Sequence, residues 1–196
     1  TDKAVNPSSI MGHTKRLCEL YIQAIWSSFN RNIDIAFTIV RFGNVIGSSG
    51  SVAEIFKKQL EIGNTVTITD LDMTRYFLTI PDACNLLLQC SSFGVDGVYV
   101  LDMGDPIFIA DIAKRMANIL NVENLEFKVV GVRKGEKITE ELVSSNEKTT
   151  VTSHTQIKKI MPVEKQWGTY YLNLCLLLNE ADYLTKDELK KRIIQL

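Results

Sequence analysis

The sequence predicts an α/β fold that combines a parallel sheet with a second, smaller α/β lobe. Two observations lead to this prediction. Apolar, β-branched segments alternate with helical patterns along the 196 residues, as in βα units. In addition, the glycine-rich stretch RFGNVIGSSGS, residues 41–51, joins a strand pattern directly to a helix pattern. We assign residues 1–50 to the first domain and residues 51–196 mainly to the lobe, with some elements returning to the sheet.

The first half of the chain carries the clearest elements. Residues 9–29 have apolar side chains at helical spacing. The segment IDIAFTIVRF, residues 33–42, is almost continuously apolar, as expected of a strand that is buried on both faces. After the loop at 41–51, residues 52–62 predict a helix that ends at Gly63 as its C′ residue.

The second half alternates in the same way. Pro81 is expected at the first position of a helix, and a short helix is expected after the polar loop 132–137. The predicted elements are strands at 65–69, 98–102 and 125–130 and helices at 81–90, 109–120 and, as a pair, within 168–195.

The composition is that of an ordinary soluble globular protein. The net charge of −1 gives no basic surface for nucleic acid, so no nucleic-acid partner is predicted. No apolar run approaches the roughly 20 residues needed to span a bilayer. The four cysteines are scattered and form no CxxC pair, which favours a cytoplasmic protein with reduced thiols and no metal site. The chain opens on TDK without an initiator Met, so we expect it to be the C-terminal part of a longer protein.

Two short segments near the N-terminus carry candidate chemistry. Asp2 and Lys3 would sit at the C-terminal edge of a parallel strand, where α/β sheets place their ligands, and could serve as acid and base. The alternative is a solvated charge pair. Met11 and Lys15 share one face of the predicted helix. Their plain interpretation is a core methionine and a surface lysine.

Two further segments suit a phosphorylated ligand. The loop 41–51 offers unobstructed backbone amides before a helix N-terminus, and Asn44 could bond a ligand directly. The alternative is a flexible connection. In the segment RKGEK, Arg133 suits phosphate and Glu136 suits ribose hydroxyls, while Arg75 supplies a second guanidinium. The alternative here is a solvated loop.

The motifs occur in a familiar order. The chain contains TDKAVNP, MGxTKR, VRFGNVxGSSGSV, MTRYFxTIPDA, VLDMGDP, RKGEKxxEEL and TSH between residue 1 and about residue 160. This series resembles the polysaccharide-biosynthesis branch of the extended short-chain dehydrogenases/reductases, the nucleotide-sugar 4,6-dehydratases typified by UDP-N-acetylglucosamine 4,6-dehydratase. The resemblance implies a Rossmann-like parallel sheet, of which this chain is the C-terminal part.

The resemblance also implies catalytic roles. Thr1 and Lys15 correspond to the Ser/Thr and Lys of the family's triad, and both would contact the cofactor, NAD or NADP, with Lys15 on the nicotinamide ribose. Asp2 resembles the general acid at the C6 hydroxyl and Lys3 the base at C5. The implied reaction is dehydration of a UDP-N-acetyl-hexosamine to a 4-keto-6-deoxy sugar for surface polysaccharide. The implied substrate-binding residues are Asn44, Ser51, Thr67, Arg75, Arg133 and Glu136, with Thr67 lining the base.

Two features set the chain apart from most of the superfamily. Met11 stands where the YxxxK motif has Tyr, as in a subgroup of large membrane-anchored dehydratases. A thioether has no proton to exchange. The GxGxxG dinucleotide turn is absent from these residues. We therefore expect the fragment to be inactive alone, and any membrane contact to lie upstream. The alternatives are an epimerase of the same superfamily and a non-catalytic sugar-nucleotide-binding module. A homo-oligomer is expected through helix 9–29, whose second face carries Ile22, Trp26 and Phe29.

Overall fold

The computed structural model describes residues 1–28, 35–48, 50–162 and 166–196. Within these ranges the chain forms helices and short strands in alternation. The helices are α1 (Ile10–Ser28), α2 (Val52–Leu60), α3 (Ile80–Ser92), α4 (Ile109–Ile119), α5 (Trp167–Glu180) and α6 (Lys186–Gln195), with 3-10 turns at Asp2–Ala4 and Ala181–Tyr183. The strands are β1 (Thr38–Arg41), β2 (Asn44–Ile46), β3 (Thr65–Ile68), β4 (Thr74–Arg75), β5 (Phe77–Thr79), β6 (Gly97–Leu101), β7 (Ile107–Phe108), β8 (Glu126–Val129), β9 (Thr149–Val151) and β10 (Ile157–Ile160). The predicted α/β fold class is confirmed.

The chain divides into two compact units. The first unit contains Thr1–Arg41, Gln89–Leu101 and Glu141–Leu196, and the second contains Phe42–Leu88 and Asp102–Glu140. The assignment of residues 1–50 and 51–196 to a dinucleotide-binding and a substrate-binding part stays a prediction. None of the helices in the described ranges combines the length and the apolar character needed to cross a membrane.

The first unit is built on a four-stranded sheet of order β1-β6-β10-β9. Strands β1 and β6 run parallel, whereas β10 is antiparallel to both β6 and β9. All five residues of β6 are buried, as expected of a central strand. A core cluster of Ile39, Val98, Val100 and Ile160 packs against Ile22 and Trp26 of α1. The face of α1 that carries Ile22 and Trp26 therefore packs against the sheet.

The C-terminal helices cover another face of α1. Helix α5 packs along α1, where the rings of Tyr21 and Tyr171 stack with centroids 5.8 Å apart. Leu174 and Leu177 of α5 are each only 4% exposed. The two predicted helices within 168–195 are thus confirmed as α5 and α6. Part of the apolar surface of α1 is buried within the same chain.

The second unit has its own core. Strand β3 pairs in parallel with β8, and its alternation buries Val66 and Ile68 while Thr65 and Thr67 face outward. Helices α2 and α4 pack together. The buried residues of this core are Phe56, Leu60, Val66, Ile68, Met73, Ile109, Ala110, Ala113 and Ala117.

The stretch 41–51 is more ordered than a plain loop. Its middle forms β2, which pairs in parallel with β5, and the Asn44 amide donates to the Tyr76 carbonyl at 2.8 Å. A Cβ on Gly43 would lie 2.7 Å from both the Cβ and the carbonyl oxygen of Tyr76. Gly43 is therefore needed for close strand approach. Neither interpretation of this stretch from the sequence, as a ligand loop or as a flexible connection, included this contact, because its partner is distant in sequence.

Two predictions of secondary structure are wrong. The short helix expected after residue 137 does not form, and residues 138–148 are irregular. This segment is held by long-range contacts, including a bridge between Thr74 and Thr139. Helix α2 ends at Leu60 rather than running to Gly63, which lacks the positive φ of a C′ glycine. Strands β2, β4, β5, β7, β9 and β10 were not predicted.

The other predicted elements are close to the observed ones. Helix 81–90 begins one residue earlier, at Ile80, and ends two later. The predicted helix 9–29 corresponds to α1, and the predicted strand 33–42 to β1. Phe29 and residues 33–34 of these predictions, like Ser49 of the loop, lie outside the described residues.

Candidate active site

Asp2 and Lys3 lie together in the 3-10 turn Asp2–Ala4, in which Asp2 and Ala4 are buried. The Lys3 ammonium donates to Oδ1 of Asp2 at 3.0 Å, and the Lys3 amide donates to the Thr1 hydroxyl oxygen at 3.4 Å. The side chain of Asp2 is 1% exposed, whereas that of Lys3 is 37% exposed. Oδ2 of Asp2 has no hydrogen-bond partner among the described residues. Because buried carboxylate oxygens are normally bonded, Oδ2 is a free acceptor in a site otherwise built for a charge pair.

Neighbouring backbone contacts hold this turn in place. The Thr1 nitrogen donates to the Val40 carbonyl of β1 at 3.1 Å, and the Val5 amide closes the turn on the Asp2 carbonyl at 3.0 Å. Ala4 and Val5 are almost completely buried. The Asp2–Lys3 pair therefore lies beside the end of strand β1.

Met11 and Lys15 share an outward face of α1. Met11 is 53% exposed, so its plain interpretation as a core methionine is wrong, while Lys15 is exposed, as expected of a surface lysine. Among the described residues Lys15 forms no ion pair or side-chain hydrogen bond. An exposed, unpaired ammonium fits the hydroxyls of a cofactor ribose, and Thr1 supplies a hydroxyl in the same unit.

A buried network of four charged residues lies in the same unit and was not predicted. Arg41 is completely buried, and its five N–H groups donate to Glu19 twice, to Glu147 twice and to the Leu142 carbonyl once, at 2.7–3.3 Å. Arg16 completes the set, with Nη1 3.0 Å from Glu19 and 3.6 Å from Glu147. The network is neutral, with two cations and two anions.

The charged groups of this network shift one another's pKa values. Burial opposes the charged form of Glu147, but the bonds from Arg41 and Ser144 outweigh it and hold the pKa of Glu147 below its usual value. Burial by itself would lower the pKa of Arg41, but the hydrogen bonds and charges of Glu147 and Glu19 outweigh burial and raise it. The only sequence signal for the network was a charged residue, Arg41, at the end of an otherwise apolar strand.

In the second unit, the amides before α2 are partly occupied. The Gly50 amide donates to Oε2 of Glu54 at 2.9 Å, and Lys58 contacts the other oxygen at 3.2 Å. The Gly50 bond is the main reason why the pKa of Glu54 is lowered. Ser51 is the N-cap residue of α2 but makes no side-chain capping bond. A ligand phosphate at this loop would therefore compete with Glu54 for the Gly50 amide. The Ser51 hydroxyl is not used to cap the helix.

Arg75 is mainly engaged by its own chain. It is 7% exposed and donates to the carbonyls of Thr74, Lys137 and Ile138 at 2.6–2.9 Å. Its Nη2 lies 3.9 Å from Glu136 and 4.0 Å from Glu140. These contacts fix residues 136–140 and bring two predicted site residues, Arg75 and Glu136, together.

The remaining predicted residues lie in exposed or half-buried positions of the same unit. Arg133 is exposed and forms a turn with Glu136, whose amide donates to the Arg133 carbonyl at 3.0 Å. Thr67 is exposed on β3, opposite Lys128 of β8. Asn44 begins β2, opposite Phe77. The structure thus groups Arg75, Arg133 and Glu136. The roles of all these side chains toward a ligand stay predictions.

Comparison with known proteins identifies the family. Residues 1–162 match the family described as polysaccharide biosynthesis protein. The capsular polysaccharide biosynthesis protein CapD of Staphylococcus aureus is 48% identical over 150 residues, which are 75% of this chain and 24% of CapD. A UDP-glucose 4-epimerase of Rickettsia canadensis is 36% identical over 149 residues, which are 75% of this chain and 42% of the epimerase.

The fold is shared with a solved structure. The X-ray structure of Pen from Bacillus thuringiensis matches with a TM-score of 0.69 and 28% identity, covering 82% of this chain and 50% of Pen. The chain therefore spans between about a quarter and a half of the length of these relatives. The chain belongs to the polysaccharide biosynthesis protein family of extended short-chain dehydrogenases/reductases, as its ordered motifs predict.

Proposed function

We propose that the chain carries the catalytic turn and substrate-binding residues of an NAD(P)-dependent UDP-N-acetyl-hexosamine 4,6-dehydratase. The observation that carries the proposal is the Asp2–Lys3 pair, in which Asp2 is buried. One carboxylate oxygen of Asp2 is bonded to Lys3, and the other has no hydrogen-bond partner among the described residues. Elimination of water needs an acid and a base near each other, and this pair supplies both. The product would be a 4-keto-6-deoxy sugar nucleotide for surface polysaccharide, in keeping with the similarity to CapD.

The 3.0 Å bond between the two side chains explains how one pair can provide both functions. Transfer of one proton along this bond converts the ion pair into a neutral amine and a neutral carboxylic acid. The Lys3 amine then accepts the C5 proton, and Asp2 donates its proton to the C6 oxygen, which leaves as water. The pair returns to its charged form, so no net proton is gained or lost by the protein.

The residues on α1 and Thr1 serve the redox steps. NAD or NADP, when bound, would supply the hydride acceptor for oxidation at C4 and the hydride donor for reduction at C6. The C4 ketone present between these two steps would make the adjacent C5–H acidic. Lys15, exposed and unpaired among the described residues, holds the ribose, and Thr1 contributes a hydroxyl to the triad. Met11 has no exchangeable proton and lines the site as an apolar surface.

The residues of the second unit bind the nucleotide part. Arg133 and Glu136 suit the diphosphate and the ribose, Asn44 and Ser51 offer neutral polar groups, and Thr67 lines the base. Arg75 has a modified role, because its bonds to the carbonyls of residues 137 and 138 hold the Glu136 turn. The proposal therefore makes Arg75 a support of the binding turn as well as a cation near it.

The test uses the full-length protein that contains this chain. Incubation with UDP-N-acetylglucosamine should give a product one water molecule lighter, with a C4 ketone and a C6 methyl group by NMR. Replacing Asp2 by Asn should lower the rate of dehydration by about 10²- to 10⁴-fold, because the general acid is lost. A product that retains its 6-hydroxyl would show that the protein is not a dehydratase.

The second candidate is a nucleotide-sugar epimerase. The similarity to a UDP-glucose 4-epimerase over 75% of the chain favours it. An epimerase that acts only at C4 needs no general acid at C6, so it should largely tolerate Asp2→Asn. The same variant therefore separates the two candidates: loss of turnover supports the dehydratase, and retained C4 inversion supports the epimerase.

A further inference from the structure

Gly12 of α1 lies in backbone contact with the catalytic turn. A Cβ placed on Gly12 would be 2.8 Å from the carbonyl oxygen of Lys3, 3.0 Å from Cβ of Pro7 and 3.4 Å from Oγ of Ser9. The closest of these atoms belongs to the backbone, so it cannot be relieved by a side-chain rotation. The helix and the turn therefore approach each other as closely as they do only because residue 12 has no side chain.

The backbone conformation of Gly12 does not explain its presence. Its φ is not in the positive range in which glycine is favoured, and it lies inside the helical segment Ile10–Ser28. Within a helix, alanine is the better residue because glycine loses more conformational freedom on folding. The close approach to Lys3 is thus the physical reason for glycine at this position.

We propose that Gly12 is a positioning residue that sets the place of Lys3 relative to the face of α1 that carries Met11 and Lys15. Gly12 is adjacent to Met11 and three positions before Lys15, so the contact joins the base to the helix turn that holds the cofactor. This inference rests on the proposed dehydration. It adds a residue that touches neither substrate nor cofactor.

The geometry predicts which step depends on Gly12. A methyl group at residue 12 moves the Lys3 backbone, while Thr1 stays tied to Val40 of β1 and Lys15 stays on α1. Oxidation at C4 uses Thr1 and Lys15, so it should proceed in the variant. Removal of the C5 proton depends on the alignment of Lys3, and a displacement of about 1 Å in such a group can cost about 100-fold in rate.

The experiment compares Gly12→Ala with Gly168→Ala in the full-length protein. Gly168 is also helical with an ordinary φ, but a Cβ there meets no atom of the described residues within 4 Å. Each variant is mixed rapidly with UDP-N-acetylglucosamine. Reduced nicotinamide is followed by its near-ultraviolet absorbance, and the dehydrated product is followed by mass spectrometry. Thermal unfolding and the kcat–KM split are measured for each variant.

The expected result is a separation of the two steps in Gly12→Ala alone. Reduced nicotinamide should form at a rate similar to wild type and accumulate, because elimination is slowed about tenfold or more, with kcat lowered and KM nearly unchanged. Gly12→Ser should show the same defect at least as strongly. Gly168→Ala should match wild type in both readouts.

Three outcomes would overturn the inference. In the first, Gly12→Ala forms product at the wild-type rate. In the second, the rates at which it forms reduced nicotinamide and product are lowered equally. In the third, Gly12→Ala unfolds while Gly168→Ala stays folded. The last result would mean that the contact maintains the fold and does not position Lys3. Failure of the proposed function looks different, since the wild-type protein itself would then release no dehydrated sugar.

Discussion

Arg41 illustrates how much a single buried side chain can organise. Its guanidinium connects β1 to α1 through Glu19 and to an irregular segment through Glu147 and the Leu142 carbonyl. A buried ion pair adds little net stability compared with a well-packed apolar pair, but removing one partner leaves an uncompensated charge. Replacing Arg41 alone should therefore lower stability more than replacing the whole buried network with apolar residues.

The first prediction follows directly. Arg41→Met should lower the free energy of unfolding by about 3–5 kcal/mol, because Glu19 and Glu147 remain buried without their main cation. Urea denaturation of the purified chain measures the loss. The exposed Arg115 is the control, and Arg115→Met should change stability by no more than about 0.5 kcal/mol. A loss below about 1 kcal/mol for Arg41→Met would contradict a coupled buried network.

The second prediction concerns acid. The pKa of Glu147 is lowered from the model-compound value of 4.5, so its folded form binds a proton less readily than its unfolded form. Its stabilising contribution is present above pH 4.5 and is lost as the pH falls through the lower folded-state value. The urea concentration at the unfolding midpoint is measured between neutral pH and pH 3. It should decrease once the pH is below about 4.5. Glu147→Gln should flatten this dependence, and an unchanged slope would exclude Glu147 as a contributor.

Residue-level chemistry was predictable only in part from the sequence. Asp2, Lys3, Met11 and Lys15 stood out because the ordered motifs that contain them resemble those of a known family, and the structure places Asp2 and Lys3 in contact. The free oxygen of Asp2 was not predictable, since it depends on burial by the surrounding turn. Glu147 was not predictable either, because nothing local connects it to Arg41.

At the scale of elements, α6 carries the clearest local signal. Thr185 caps the helix, accepting from the Glu188 amide at 3.4 Å while its own amide donates to the Glu188 carboxylate at 2.9 Å. Thr185→Ala should cost about 1 kcal/mol, with faster hydrogen exchange confined to the amides of α6. Thr185→Asn should keep most of the protection, since Asn is also a good N-cap residue. Equal exchange in both variants would show that the cap does not limit the opening of α6.

The elements that local patterns define were predicted, and those that distant contacts define were not. Strands β3 and β6 and helix α4 have regular patterns and lie where expected. Strand β9 is exposed throughout, so no apolar alternation marks it. Residues 138–148 contain helix-forming residues such as Glu140, but this propensity is overridden by the contacts to Thr74, Arg75 and Arg41.

At the scale of the molecule, the first unit closes on itself. Its last segment returns to cover α1, and an apolar groove of about 340 Å³ lined by Leu17, Tyr21, Leu177 and their neighbours marks where the helices meet. The homo-oligomer expected from the apolar faces of α1 stays a prediction. Part of that apolar surface is already used within the chain.

The fourth prediction tests this closure with two adjacent leucines. Leu177 is 4% exposed against α1, whereas Leu176 is 55% exposed. Leu177→Asp should detach α5, expose apolar surface and increase both dye binding and self-association, because a buried carboxylate has no partner there. Leu176→Asp should leave both properties unchanged. Fluorescence of a hydrophobic dye and sedimentation velocity measure the difference, and equal behaviour of the two variants would contradict the proposed packing.

The division of the first unit into three chain segments has a consequence for biosynthesis. Arg41 and Glu147 are 106 residues apart, so at about 5–20 residues per second the ribosome needs roughly 5–20 s between making the cation and making its second anion. Throughout this interval the nascent sheet lacks β10 and β9, while the whole of Phe42–Glu140 emerges. The inserted unit is therefore the first to be completely synthesised. The sheet of the first unit can be completed only after β9 and β10 have been synthesised.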